Sequence, residues 1–510
     1  MRLVFFGDCL PCCATNGSRI QAALLFGIQP ARRGPGSNVL KKGFLLYAGL
    51  VVIFGLGMFF TLERGRHLQA PTASTQMAAS GQRIESGPAR TENTATIWSS
   101  LEANLHEPLS RLFLQLIVIL IATRLVGSLF VKLGQPSVVG EMFAGVFLGP
   151  SLFGLLFHDG FNFIFPASSL GVLRLLSQIG VCLFLFAVGM ELDISHLRSR
   201  AYTAVVVSHA SILFPYFLGM AVSLALFTTL AGPGTSFVSF ALFMGISMSI
   251  TAFPVLARIL QERRLDATAL GVTALTCAAV DDVSAWSILA FVVAIARATG
   301  LASTVVSLIL VLAFVAVMLL GIRPRLPGWF RTDRLAGGIP SKGIIAAVLV
   351  FTFASALTTE IIGIHALFGA FLAGVAMPAR PEFRNYLKVR LENFSSVFLL
   401  PLFFVFTGLR TELGLLNDAE GWLLCLLIIL TATVGKLGGS LFAARLTGMG
   451  WIDSFSLGAL MNTRGLMELI AVNIGYDLGI LSPRIFTMLV IMALVTTIMT
   501  APLLTFFGKR

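Results

Sequence analysis

The sequence predicts an all-α polytopic membrane protein, and three observations carry that expectation. Of 510 residues, 56% are apolar and only 12% charged, and the mean hydropathy of +0.90 lies far outside the range of soluble domains. The apolar residues fall in runs of about 17–25, long enough to cross roughly 30 Å of hydrocarbon as helices, without the alternation of outer-membrane strands. Basic residues gather in alternate loops between the runs, as the orientation of membrane proteins requires.

The first run, 44–62, follows Arg32, Arg33, Lys41 and Lys42 and precedes a stretch rich in Ala, Ser, Thr, Gln and Gly. Its length favours an extra transmembrane anchor over a signal peptide. The expected organisation is a cytoplasmic segment 1–43, the anchor 44–62, an extracytoplasmic linker 63–109, a transmembrane domain 110–506 and a cytoplasmic C-terminus 507–510.

Thirteen further spans are expected at 112–130, 138–157, 169–189, 202–226, 236–258, 268–293, 301–321, 342–358, 361–378, 393–413, 421–441, 453–475 and 484–506. The loops holding Arg198/Arg200, Arg258/Arg263/Arg264, Arg323/Arg325/Arg331/Arg334 and Arg380/Arg384/Lys388/Arg390 fall on one side, the expected cytoplasmic one. Arg297 and Arg484 stand on the other side as exceptions, and Arg64 and Arg66 beyond the first run also run against the pattern.

The formal charge of +12 therefore sets orientation, and no nucleic-acid partner is expected. Cys9, Cys12 and Cys13 cluster near the N-terminus while Cys182, Cys277 and Cys425 are scattered, which gives no disulfide framework and no second cluster to complete four metal ligands.

The chain resembles itself. Phe143-Ala-Gly-Val-Phe-Leu-Gly-Pro150 recurs as Phe371-Leu-Ala-Gly-Val-Ala-Met-Pro378, and Leu183-Phe-Leu-Phe-Ala-Val-Gly189 recurs as Leu402-Phe-Phe-Val-Phe-Thr-Gly408. Each pair lies seven spans apart, and an odd offset makes the copies run in opposite directions. Two inverted repeats are the architecture of many secondary transporters.

Asp281 and Asp282 sit near the middle of span 268–293. Two acids at bilayer depth are costly and mark ion or proton pathways. Consecutive helix positions point about 100° apart, so one carboxylate can face an aqueous cavity while the other turns to a neighbouring helix. Lys436, within 421–441, needs an anion, and Asp281 is its expected partner.

Two spans are interrupted. Ser247-Met-Ser249-Ile-Thr251-Ala-Phe-Pro254 places a proline and hydroxyls within one, and Met461-Asn462-Thr-Arg464-Gly465-Leu-Met-Glu468 places polar groups and a glycine in the span seven further on. Broken helices at matching positions of two inverted halves point to a transporter's binding site. Arg464 and Glu468, at i,i+4, are expected to pair or to neutralise half-helix ends.

Absences narrow the chemistry. No phosphate-binding G-x-x-x-x-G-K-[ST] run and no Thr-Val-Gly-Tyr-Gly filter occur, and no histidines pair at ligand spacing in the core spans. No enzyme activity, no cofactor and no metal beyond a transported cation are expected. An intramembrane aspartyl protease needs carboxylates converging on one water, which adjacent residues do poorly. A passive cation channel or a transport-inactive sensor of the same fold is the alternative.

Gly134-Gln-Pro-Ser-Val-Val-Gly-Glu-Met-Phe-Ala-Gly-Val-Phe-Leu-Gly-Pro150, Leu183–Asp193, Ile250–Arg258, the acid pair, Gly363-Ile-His-Ala-Leu-Phe-Gly-Ala-Phe-Leu-Ala-Gly374 and Met461–Glu468 together resemble the monovalent cation:proton antiporter superfamily over about residues 110–506. The resemblance implies antiport of Na+ or K+ against protons by a homodimer in a plasma or inner membrane. Each protomer would have a dimerisation domain and a core in which helices 236–258 and 453–475 cross.

The resemblance further implies Asp282 as the ion- and proton-carrying carboxylate, Asp281 as its neighbour paired with Lys436, and hydroxyls of Thr251 and Ser249 beside the site. An adjacent acid pair with a lysine partner resembles electrogenic members, which exchange two protons per cation. The sequence departs at Leu466, where many sodium/proton members carry a glutamate directly after Arg-Gly; Glu468 comes later, closer to the plant-exchanger pattern. The nucleotide-binding domain of the potassium efflux systems is not found.

Overall fold

The computed structural model describes residues 37–70, 104, 107–191, 201–297, 301–329, 342–378 and 380–507. The N-terminal cysteines, Arg198, Arg200, Arg331, Arg334, most of the expected cytoplasmic segment and linker, and residues 508–510 lie outside them. The chain divides into Met1–Leu46, described only at the start of one helix, and Tyr47–Arg510, which contains everything below.

Among the described residues every regular element is a helix, apart from one isolated bridge between Ala231 and Leu481. Eleven stretches are long and apolar enough to cross a bilayer, and each expected span holds helix. In chain order the principal helices are α1 (Ser37–Gly65), α2 (Pro108–Lys132), α3 (Ser137–Leu148), α4 (Leu170–Glu191), α5 (Ala201–Leu230), α6 (Phe237–Ser247), α7 (Phe253–Glu262), α8 (Ala269–Arg297) and α9 (Leu301–Ala316). There follow α10 (Lys342–Ile362), α11 (Ala366–Ala376), α12 (Pro381–Phe394), α13 (Leu400–Leu409), α14 (Ala419–Thr433), α15 (Gly439–Leu446), α16 (Trp451–Met461), α17 (Leu466–Asp477) and α18 (Pro483–Phe507).

Several boundaries move. Arg384, Lys388 and Arg390 stand on α12 rather than in a loop, and a π-helical turn, Ser395–Leu399, carries α12 straight into α13. Arg384 donates to the carbonyls of Met377 (3.0 Å), Pro378 (3.0 Å) and Met190 (2.9 Å), which places its charge against the negative C-terminal ends of α11 and α4.

The repeated segments pack crosswise. Gly145 in α3 lies on α13, where an added Cβ would stand 2.3 Å from the Phe404 carbonyl oxygen, and Gly374 in α11 lies on α4, where one would stand 2.1 Å from that of Phe186. The first copy of one motif thus meets the second copy of the other, and conversely. A head-to-tail relation would not repeat the contact with the copies exchanged; a two-fold relation between the halves does.

The two arginines that broke the charge pattern are neutralised in place. Arg297 approaches Glu360 at 3.7 Å, and Arg484 pairs with Asp418. At the same end Asp477 bridges Arg174 (3.2 Å) and Arg410 (2.8 Å). Arg297, Glu360, Arg174 and Asp477 line a cavity of about 310 Å³ together with Gln178 and His365, while a cavity of about 260 Å³ beside Gln135, Glu262 and Arg263 opens at the basic-loop end.

Candidate functional site

The two expected interruptions are complete breaks, and they meet. The chain leaves helical geometry between α6 and α7, and again between α16 and α17. The Thr251 hydroxyl donates to the Met461 carbonyl at 3.1 Å, and the Ala252 amide donates to the Thr463 carbonyl at 3.0 Å. Backbone that leaves a helix inside a bilayer must find partners within the protein, and each break supplies the other's.

Sequence explains both breaks. Pro254 stands in the first turn of α7, where its missing N–H costs nothing, so it starts a helix here and kinks none. Gly465 adopts φ 154° and ψ −131°, a conformation closed to residues with a Cβ, and hands the chain to α17.

The two breaks leave four helix ends near one another, and charges answer them. The Arg464 guanidinium donates to the carbonyls of Ser247 (2.9 Å) and Met248 (2.7 Å) at the C-terminal end of α6, and pairs with Glu468 at 3.2 Å. Glu468 lies in the first turn of α17, where an acid complements the positive end of the helix. Both expected roles of this pair are therefore combined.

Lys436 occupies a π-helical turn, Val434–Gly438, between α14 and α15. The helix runs on to Leu446, so the lysine lies deep in the span rather than near its end. Its ammonium reaches Asp281 at 2.9 Å and the Ser249 carbonyl. The same Asp281 oxygen accepts the Thr251 amide at 3.1 Å, which ties α8 to the first break.

Lys436, Asp281, Arg464 and Glu468 all have fully buried side chains, and Asp282 is 1% exposed. The five groups lie on four elements that the sequence separates by almost two hundred residues. With every carboxylate ionised they sum to one negative charge. Asp281 Oδ1 and both amide atoms of Asn462, which caps α16, are buried without a hydrogen-bond partner. Such orphaned oxygens suit a hard cation or a proton-bearing species.

Of the residues expected from sequence, Ser249 differs. Its hydroxyl donates to the carbonyls of Gly245 (2.7 Å) and Ile212 (3.2 Å), so the serine offers its carbonyl rather than its hydroxyl to Lys436. Sequence reasoning missed Thr497 and Thr500 on α18. The Thr497 hydroxyl accepts the Arg464 amide (3.3 Å) and donates to its carbonyl (2.9 Å), and Thr500 bonds Thr463 at 3.2 Å. Hydroxyls spaced i,i+3 in an apolar helix were the signal. Among the described residues no cluster of three or more His, Cys, Asp or Glu could hold a metal.

A bundle of two related halves, crossing at broken helices around buried ion pairs, defines the class of secondary membrane transporters. Residues 116–507 match the family described as sodium/hydrogen exchanger, transmembrane, and the chain belongs to that family. It is 42% identical over 389 residues to the Na+/H+ antiporter NhaS4 of Synechocystis sp., covering 76% of this chain and 95% of that one. It is 40% identical over 406 residues to cation/H+ antiporter 17 of Arabidopsis thaliana and 34% identical over 408 to K+/H+ antiporter 1 of Saccharomyces cerevisiae. The alignments cover 79% and 78% of this chain but 49% and 46% of those longer proteins. The fold is similar to that of the sodium proton antiporter MjNhaP1 from Methanocaldococcus jannaschii, with a TM-score of 0.56 at 16% identity over 76% of this chain and 98% of that one.

Proposed function

We propose that the protein exchanges a monovalent cation, Na+ or K+, for protons, with Asp282 as the carrier and Asp281, Lys436 and Thr251 shaping its surroundings. One observation carries the reading: Lys436 with Asp281 and Arg464 with Glu468 form two fully buried ion pairs around the breaks, and Asp282 adds a fifth charge to them. Asp282 with a proton, or with a monovalent cation, brings the five groups to neutrality; carrying both or neither leaves a net charge in a low-dielectric site. That is competition between two substrates for one carboxylate. The names of the relatives, which cover Na+/H+ and K+/H+ antiporters, support the same reaction class.

The reading extends to a homodimer in which the core domain of each protomer shifts against its dimerisation domain, to electrogenic exchange, which takes a second proton at the Lys436–Asp281 pair in addition to the one on Asp282, and to a cytoplasmic placement of the basic loops and C-terminus in a plasma or inner membrane. The test is cation-driven proton movement in proteoliposomes, read with an internal pH dye over Na+ and K+ series. Asp282→Asn abolishes exchange while the folded yield stays near wild type; exchange persisting in that variant overturns the assignment.

A further inference from the structure

Helix α1 precedes the residues that match the family, and from Tyr47 onward it lies along a single line of the bundle. Tyr47 meets His209 edge-on with ring centroids 5.2 Å apart. Phe54 stands 5.4 Å from Phe214 and 5.8 Å from Phe217. Gly57 lets the Phe217 ring approach the α1 backbone, where an added Cβ would come within 2.6 Å of it, and Gly65 does the same for Phe237. The partners are all on α5 and the start of α6, while Val52, Ile53, Leu56 and Phe60 are exposed on the other face.

The π-helical turn of Lys436 also rests on α5. An added Cβ on Gly435 would stand 2.8 Å from the Pro215 Cα; on Gly439, 2.9 Å from the Ala210 carbonyl and 3.0 Å from the Phe214 Cβ; on Gly438, 3.7 Å from the Phe214 ring. Phe214 therefore stands against Phe54 and against Gly438 and Gly439, the glycines that follow Lys436. Those glycines have no side chains of their own to anchor the turn, so what α5 presents fixes where it sits.

We infer that α1 is a positioning element of the transport site: Phe54, through Phe214, sets the turn that carries Lys436 and thereby its contact with Asp281 and the Ser249 carbonyl. This rests on the antiport reading above. The charged groups facing Lys436 are Asp281 on α8 and Arg464 and Glu468 at the second break, and α5 adds Tyr216 and His209 as titratable groups. Moving the ammonium relative to the acid pair changes the balance of charge at the site, on which the pH dependence of exchange depends.

The experiment records the pH profile of exchange in proteoliposomes of the full chain for wild type, Phe54→Ala, Phe54→Leu, Phe214→Ala and the Phe54→Ala/Phe214→Ala double variant, with thermal unfolding measured alongside. Phe54→Ala shifts the midpoint by about half a unit, the scale of a loosened ion pair. Phe54→Leu, which keeps an apolar side chain on Phe214, moves it less. The double variant moves no farther than the larger single shift, because both act along one path. A Phe54→Ala profile that superimposes on wild type overturns the inference, whatever happens to maximal rate or melting temperature, and so do additive shifts. Exchange surviving in Asp282→Asn would instead overturn the antiport reading.

Discussion

Gly408 and Gly145 touch backbone to backbone: a Cβ on Gly408 would stand 2.0 Å from the Gly145 carbonyl carbon. The contact joins the second copy of one repeated motif to the first copy of the other, and Gly374 with Gly189 repeats it in reverse. Gly408→Ala and Gly374→Ala therefore force backbone apart, and each lowers stability by about 3 kcal/mol, the upper end for overpacking. Gly49→Ala, whose Cβ would meet nothing within 4 Å, leaves stability unchanged or slightly raised. Thermal unfolding in detergent compares the three.

Breaking the Lys436–Asp281 pair from one side strands a buried charge. Lys436→Met and Asp281→Asn each cost about 3–5 kcal/mol, and the double variant regains much of that because neither charge remains. Unfolding of the four proteins closes the cycle; additive losses would show that the pair is not the coupling.

Arg464 serves three carbonyls, those of Ser247, Met248 and Ala432, and one carboxylate at once, a geometry a lysine cannot reproduce. Arg464→Lys is accordingly no rescue: it destabilises nearly as much as Arg464→Gln, by about 1.5–3 kcal/mol for each charged hydrogen bond lost. Glu468→Gln, which keeps an acceptor for Arg464, is milder. Maximal exchange rates fall in the same order.

Asp418 caps α14 by accepting the Gly421 amide at 3.1 Å and pairs with Arg484. The hydrogen bond from Arg484 holds its carboxyl below the usual carboxylate range, the cap amide and the Arg484 charge help, and its slight desolvation opposes. A depressed folded value means the contribution is fully present above the unfolded value near pH 4 and is lost as pH falls through the folded one. The melting-temperature gap between wild type and Asp418→Ala is thus constant above about pH 5 and closes below about pH 4.

Much of this was legible in one dimension. Thirteen apolar runs located the helices, because hydrocarbon thickness sets a length that composition reveals. Asp281 and Lys436 were paired correctly because an isolated charge in lipid must find its opposite, and few opposites are available. Ser249 was expected to offer its hydroxyl, but just past the C-terminal end of α6 it turns that hydroxyl back on the Gly245 carbonyl, which residue type does not disclose.

Residue types and spacing determined that the chain is a membrane-spanning helical protein with repeated halves, two interrupted helices and an acid pair at bilayer depth. The tertiary structure alone decided that α1 seats on α5, that a π-helical turn aims Lys436, and that Arg464 serves the end of a helix more than two hundred residues earlier. Hydropathy and periodicity are local sums along the chain. The contacts that set charge against charge depend instead on which backbones glycines allow to touch, and that is fixed only when all the helices pack together.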